Sequence, residues 1–145
     1  MIVYLDASAL VKRYVAEAGS AEVEALIENA QATGSGIVSR AEVAAALAKA
    51  ARVGALTRDA AQKTLAAFTR DWKDLIRLQI AEPLLARAAA LAWEQDLRGC
   101  DAVHLAAALL WHETLGEPIT VATYDRQLWR GAQATGLSPW PERMP

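Results

Sequence analysis

Two hydrophobic periods alternate along this chain. Ile2 to Leu5 is a short run of β-formers, the pattern of a strand buried on both faces, and it ends on Asp6. A helical pattern follows almost at once, carried by Ala9-Leu10-Val11 and Tyr14-Val15. Gly19-Ser20 reads as a stop and a new N-cap. Val23, Leu26 and Ile27 then form the inner face of a second helix, predicted to end near Gly34-Ser35-Gly36. Ile37-Val38 reads as a very short buried strand. Ser39-Arg40-Ala41-Glu42 opens a third helix that runs through Val43, Leu47 and Ala51 to about Val53, where Gly54 ends it.

Thr57 suits the N-cap of a fourth helix, with Asp59 in its first turn and Leu65, Phe68 and Trp72 at helical spacing. Leu75 to Ile80 alternates as a strand with one drier face. Glu82-Pro83 starts a fifth helix with an inner face of Leu84, Leu85, Ala88, Leu91 and Ala92. The helix opened by Asp101 is apolar nearly all round to about Leu115, so it belongs inside. Ile119 to Ala122 is another short strand, left through Thr123-Tyr124-Asp125. Arg126 to Ala134 is the last helix, and residues 136–145, with Pro139, Pro141 and Pro145, are expected to be an extended tail. Strands therefore alternate with helices or helix pairs. That order predicts one α/β domain over residues 1–145, with a central parallel sheet of four or five short strands and helices on both faces.

Composition narrows the setting. The chain has 145 residues, 54% of them hydrophobic and many of them Ala, enough for a real core of closely packed helices. No long apolar run is free of charge, so no membrane span is expected. The start lacks a secretory pattern, and the lone Cys100 suits a reducing cytoplasm. A net charge of −2 argues against a protein that holds nucleic acid by phosphate contacts alone. An RNA or DNA partner would need a local basic rim and a bound metal.

The candidate chemistry lies in Asp6, Glu42, Asp101 and Asp125, each at a predicted helix start. Singly, each has a structural explanation. Ser39-Arg-Ala-Glu42 fits a capping box, and the aspartates could be N-caps or could offset a helix dipole. Jointly they mean more. Three of them follow strands, and parallel strands share one C-terminal edge, where ligands bind in such sheets. Clustered carboxylates repel and raise one another's pKa unless a cation sits among them. An oxygen-only set favours Mg²⁺ or Mn²⁺ over Zn²⁺.

Other residues are read more plainly. His104 follows Asp101 by one turn and could face the same site, but on so apolar a helix a satisfied core histidine is the simpler reading. His112 reads as helix surface. Ser8 and Thr123 are either caps or hydroxyls that support the site. Trp72, Trp93, Trp111 and Trp129 read as core or interface aromatics rather than base-stacking platforms. Cys100 has no partner set to make it a nucleophile, and there is no Gly-rich phosphate loop, because Gly34-Ser-Gly36 precedes its strand.

Four segments together resemble a PIN domain, and most closely the VapC-type toxins of toxin–antitoxin pairs. They are Tyr4-Leu-Asp-Ala-Ser-Ala-Leu10, Ser39-Arg-Ala-Glu-Val43, Leu97-Arg-Gly-Cys-Asp-Ala-Val-His-Leu-Ala-Ala-Ala108 and Val121-Ala-Thr-Tyr-Asp-Arg126. The resemblance implies an α/β/α sandwich and an endoribonuclease with an acidic Mg²⁺ or Mn²⁺ pocket. By position its acids fall on Asp6, Glu42, Asp101 and Asp125, with Asp6 and Asp101 as central metal ligands and Glu42 and Asp125 binding directly or through water. Its supporting hydroxyls fall on Ser8 and Thr123. It further implies a homodimer and a small antitoxin whose C-terminal segment covers the pocket; Trp72 and Trp93 are compatible with such surfaces. Cys100 departs from the family, which often has an aromatic there. Lys12, Arg13, Arg40, Arg98, Arg126 and Arg130 lie near the acids in sequence and are candidates for an RNA-facing rim. The alternatives are another Mg²⁺-dependent phosphohydrolase, a binding module without turnover, and a helical protein whose acids are only caps.

Overall fold

The computed structural model describes residues 1–144; Pro145, the end of the expected tail, lies outside them. The elements run β1 (Ile2–Leu5), α1 (Ala7–Tyr14), α2 (Ser20–Glu28), β2 (Ala32–Gly36), α3 (Ser39–Arg52), α4 (Arg58–Asp71), β3 (Ile76–Leu78), α5 (Glu82–Gln95), α6 (Gly99–Leu115), β4 (Ile119–Ala122), α7 (Arg126–Ala134) and β5 (Ser138–Trp140). The strands form one sheet in the order β3-β2-β1-β4-β5, and every pairing is parallel. The expected α/β architecture is therefore the observed one.

Alternation along β1 decides which helices cover which face. Val3 and Leu5 point to a core shared with Leu10, Leu26, Val43, Leu47 and Phe68, which belong to α1 through α4. Tyr4 points the other way, to a core built from α5, α6 and α7 with Leu91, Leu105 and Leu128. With both faces covered, β1 carries no polar face, which explains its unbroken apolar run. Helix α6 is buried along most of its length, as its all-round apolar pattern predicts. No helix among the described residues is long and apolar enough to cross a membrane.

β2 lies at Ala32–Gly36, ahead of the Ile37-Val38 position expected. Gly34-Ser35-Gly36 does not precede the strand but forms its end, and α2 stops earlier, at Glu28. These glycines answer to close packing rather than to a turn. A Cβ on Gly34 would lie 2.8 Å from the Trp111 ring, and one on Gly36 would lie 2.9 Å from the Tyr4 hydroxyl. Ile37, expected in the strand, instead carries the ladder one step further by donating its N–H to Leu78 O at 3.0 Å.

Two edges also differ from expectation. β3 is shorter than Leu75–Ile80, because Trp72–Asp74 takes a single 3-10 turn first. Residues 138–140 are extended as expected, but they pair with β4 as an edge strand, a place that tolerates Pro139. The tryptophans divide. Trp72 and Trp111 are core residues, so Trp72 offers no surface to a partner, whereas Trp93 is 87% exposed on α5. Trp129 is half-buried and donates its indole N–H to Pro141 O at 2.7 Å.

Candidate active site

The register of β1 and β4 sets Leu5 beside Ala122, so the chain leaves both strands with Asp6 next to Thr123. Asp6 is buried and caps α1, its Oδ1 accepting the Ala9 N–H at 2.9 Å. The Ser8 hydroxyl donates to the same carboxylate at 2.7 Å, and Thr123 Oγ1 donates to Oδ2 at 2.7 Å. These hydroxyls also accept backbone protons from the β4 exit loop, Ser8 from Tyr124 at 2.8 Å and Thr123 from Asp125 at 3.0 Å. Ser8 and Thr123 thus tie the Asp6 carboxylate to the loop that carries Asp125.

Asp125 caps α7, with Oδ1 accepting the N–H groups of Gln127 and Leu128. Its other oxygen accepts from Arg98, whose Nε also donates to Asp101 Oδ2 at 2.9 Å. Asp101 lies in the first turn of α6, but the N-cap of that helix is Arg98, so Asp101 is not the helix cap. Nor does Glu42 close a capping box. No side-chain bond caps α3, and Ser39 Oγ lies 2.7 Å from the Ser35 hydroxyl instead. Glu42 Oε1 is 2.6 Å from His104 Nε2. Capping accounts for Asp6 and Asp125 but not for Glu42 and Asp101.

Electrostatics tie the four acids to one region. Burial pushes the Asp6 carboxyl above the ordinary aspartate range, against the charge of His104 and the hydrogen bonds from Ser8, Thr123 and Ala9. Burial does the same at Asp101; its bond from Arg98 opposes the shift and the Asp125 charge adds to it. At His104 burial alone would lower the pKa. The hydrogen bond to Glu42 and the charges of Asp6, Glu42 and Asp101 outweigh burial, and the pKa is raised. The ring stands within electrostatic reach of three of the acids.

A pH dependence follows. Between the ordinary aspartate pKa and the raised value, folded Asp6 holds a proton that the unfolded chain has released, so its ionisation makes stability fall as pH rises through that window. Asparagine cannot ionise. In EDTA, the stability of Asp6→Asn relative to the parent should therefore increase as pH rises from the acid side, read by urea unfolding at a series of pH values. A difference that stays flat with pH would remove the burial argument.

The donor chemistry suits a hard divalent cation: carboxylate oxygens, partly desolvated, at the C-terminal edge of a parallel sheet. The side chains in this conformation are turned to protein partners. Arg98 holds Asp101 and Asp125, and His104 holds Glu42. Accordingly, no three His, Cys, Asp or Glu side chains among the described residues group closely enough to hold a metal ion.

The basic candidates separate as well. Lys12 is largely covered, bonded to Glu17 and Ala18 O and lying 4.2 Å from the centre of the Tyr124 ring, so it is a poor rim residue. Arg98 spans two acids rather than waiting for phosphate. Arg13, Arg40, Arg126 and Arg130 are exposed. Cys100 is exposed in the first turn of α6, its thiol pushed up by burial and by Glu42 and Asp101, which is no setting for a nucleophile. His104 is the buried histidine expected and also faces the site. Tyr4, which bonds to it, is a site residue that the sequence pattern does not single out. Its one signal was a polar tip within a run buried on both faces, where a tyrosine hydroxyl needs a partner.

Comparison with known proteins agrees with this geometry. The PIN domain family model matches residues 3–132. Ribonuclease VapC45 of Mycobacterium tuberculosis is 38% identical over 148 residues, covering 99% of this chain and 97% of its own. The crystal structure of M. tuberculosis VapC20, described as a sarcin-ricin loop cleaving toxin, superposes with a TM-score of 0.66 at 15% identity, covering 99% of each chain. A toxin–antitoxin complex from Klebsiella pneumoniae gives a TM-score of 0.63 at 16% identity, over 85% of this chain and 86% of its own. At such identities these two structures speak for the fold, while the full-length sequence match speaks for the family. The chain belongs to the PIN domain family and, within it, to the VapC ribonucleases.

Proposed function

We propose that this chain is a Mg²⁺- or Mn²⁺-dependent endoribonuclease, the toxin of a toxin–antitoxin pair, acting in the cytoplasm. The observation that carries the reading is electrostatic: His104 feels the charges of Asp6, Glu42 and Asp101, Asp101 feels that of Asp125, and neither Glu42 nor Asp101 serves as a cap. Asp6 and Asp101 would hold the cation, and Glu42 and Asp125 would bind it directly or through water. When bound, the cation supplies Lewis acidity at the phosphodiester and lowers the pKa of an attacking water. The chain's own residues do the rest. Ser8 and Thr123 fix the Asp6 carboxylate, and Glu42 or Asp125 orients the water or takes its proton. Hydrolysis by external water leaves the RNA 2′-hydroxyl without a chemical role. Arg13, Arg40 and Arg126, exposed and near the acids in sequence, are candidates for a rim that meets phosphate.

Two partners complete the proposal. One is a small antitoxin whose C-terminal segment covers the acidic edge, supported by the match to VapC45 and by the fold shared with a chain of a toxin–antitoxin complex. The other is a second copy of the chain. Trp93, the most exposed large hydrophobic side chain among the described residues, lies on α5 and supports a protein-facing surface there. The test is direct. Purified protein incubated with RNA should produce internal cuts in Mg²⁺ or Mn²⁺ and none in excess EDTA, with cleavage restored when metal is added back. Cleavage that persists in EDTA would set the metal mechanism aside.

A further inference from the structure

A chain of hydrogen bonds runs behind the acids and ends on Glu42. The Gly36 N–H donates to the Tyr4 hydroxyl at 3.1 Å, and that hydroxyl lies 2.7 Å from His104 Nδ1. With the imidazole neutral, the hydroxyl gives its single proton to Nδ1, which leaves the ring proton on Nε2. A protonated ring carries a proton on Nε2 as well. In both forms Nε2–H donates to Glu42 Oε1, at 2.6 Å. Tyr4 and His104 are almost wholly inaccessible, and their rings meet edge to face at 5.8 Å. The imidazole therefore has one place to stand. The side chain of Glu42 is by contrast 28% exposed, and its side-chain partner is the His104 ring.

We infer that Tyr4 and His104 are positioning residues that orient the Glu42 carboxylate toward the site, with Oε1 held by the ring and Oε2 left for the cation or its water. The inference rests on the reading of Glu42 as a functional carboxylate given above. The relay joins β2, β1, α6 and α3, and it reaches the site through Glu42. Partners of this kind lock a ligand's rotamer before the ion arrives, and losing one weakens metal binding by about tenfold to a hundredfold.

The experiment is a double-mutant cycle read on Mn²⁺ affinity by calorimetry, with kcat and KM for RNA cleavage measured alongside. The proteins are the parent, Glu42→Gln, His104→Ala and the double variant. His104→Ala should weaken Mn²⁺ binding about tenfold and lower kcat while leaving KM for RNA near the parent value. His104→Gln, which offers an amide N–H in place of Nε2–H, should recover part of the loss. The double variant should bind no more weakly than Glu42→Gln alone, because His104 acts through Glu42. Parent-like Mn²⁺ affinity in His104→Ala, or losses that simply add, overturn the inference while leaving Glu42 in its role. A Glu42→Gln protein with parent-like affinity and rate overturns that role and the inference with it, a different result. Should His104→Ala not fold, Tyr4→Phe keeps the ring packing and removes only the hydroxyl. It should shift Mn²⁺ affinity in the same direction, and no shift there overturns the inference too.

Discussion

Asp6→Asn and Asp101→Asn are each expected to abolish metal-dependent RNA cleavage while leaving the protein folded. Asp6 is buried and held in a fixed orientation by Ser8, Thr123 and Ala9, so its geometry survives the loss of charge better than its affinity for a cation does. Losing an outer-shell partner alone costs about ten- to a hundredfold in affinity or activity, so about a hundredfold is a floor for losing a central ligand. Stability separates this from a structural effect. Asparagine caps a helix about as well as aspartate, so a residue that only caps would change stability by about 1 kcal/mol at most and leave cleavage alone. At Asp6 the metal-free variant should even gain stability near neutral pH, since burial already disfavours the charged form. For Asp101→Asn the bond from Arg98 weakens, and stability in EDTA should change little because Arg98 keeps Asp125. Cleavage and thermal unfolding in EDTA, measured on the same preparations, check both halves.

The largest loss of stability is expected at Phe68→Ala. Phe68 is fully buried where α4 packs against α1 and α3, edge-on to Tyr14 at 5.5 Å and tilted against Trp72 at 5.5 Å. Truncation removes both aromatic contacts and leaves a cavity in the core. The expected cost is about 3–5 kcal/mol, a large share of the roughly 5–15 kcal/mol that holds a domain folded. Urea unfolding should show the midpoint falling with little change in slope, and residual cleavage per folded molecule should stay near the parent's.

Much of this structure is legible in the sequence, for identifiable reasons. β1 and β4 are buried on both faces, and their apolar runs end on the segments that carry Asp6, Thr123 and Asp125. α6 shows its burial through its all-round apolar surface. β2 was hidden because Gly34 and Gly36 usually mark turns, whereas here they admit Trp111 and Tyr4 from residues far along the chain. β5 was hidden by Pro139, which only an edge position allows. Among the site residues, the acids stand where local rules place them. The partners of Glu42 and Asp125 do not: His104 is 62 residues from Glu42, and Arg98 is 27 from Asp125. No local pattern carries pairings of that range, so Arg98 read as a phosphate-facing cation and Tyr4 as one more strand residue.

The central claim is that the acidic edge binds a divalent cation through Asp6 and its neighbours. Calorimetric titration of Mn²⁺ into the parent and into Asp6→Asn, both stripped of metal and shown to be folded, tests it without depending on any RNA. A saturable heat in the parent that is lost or greatly weakened in Asp6→Asn is the predicted result. Equal binding in the two proteins, or none in the parent at millimolar Mn²⁺, would contradict it.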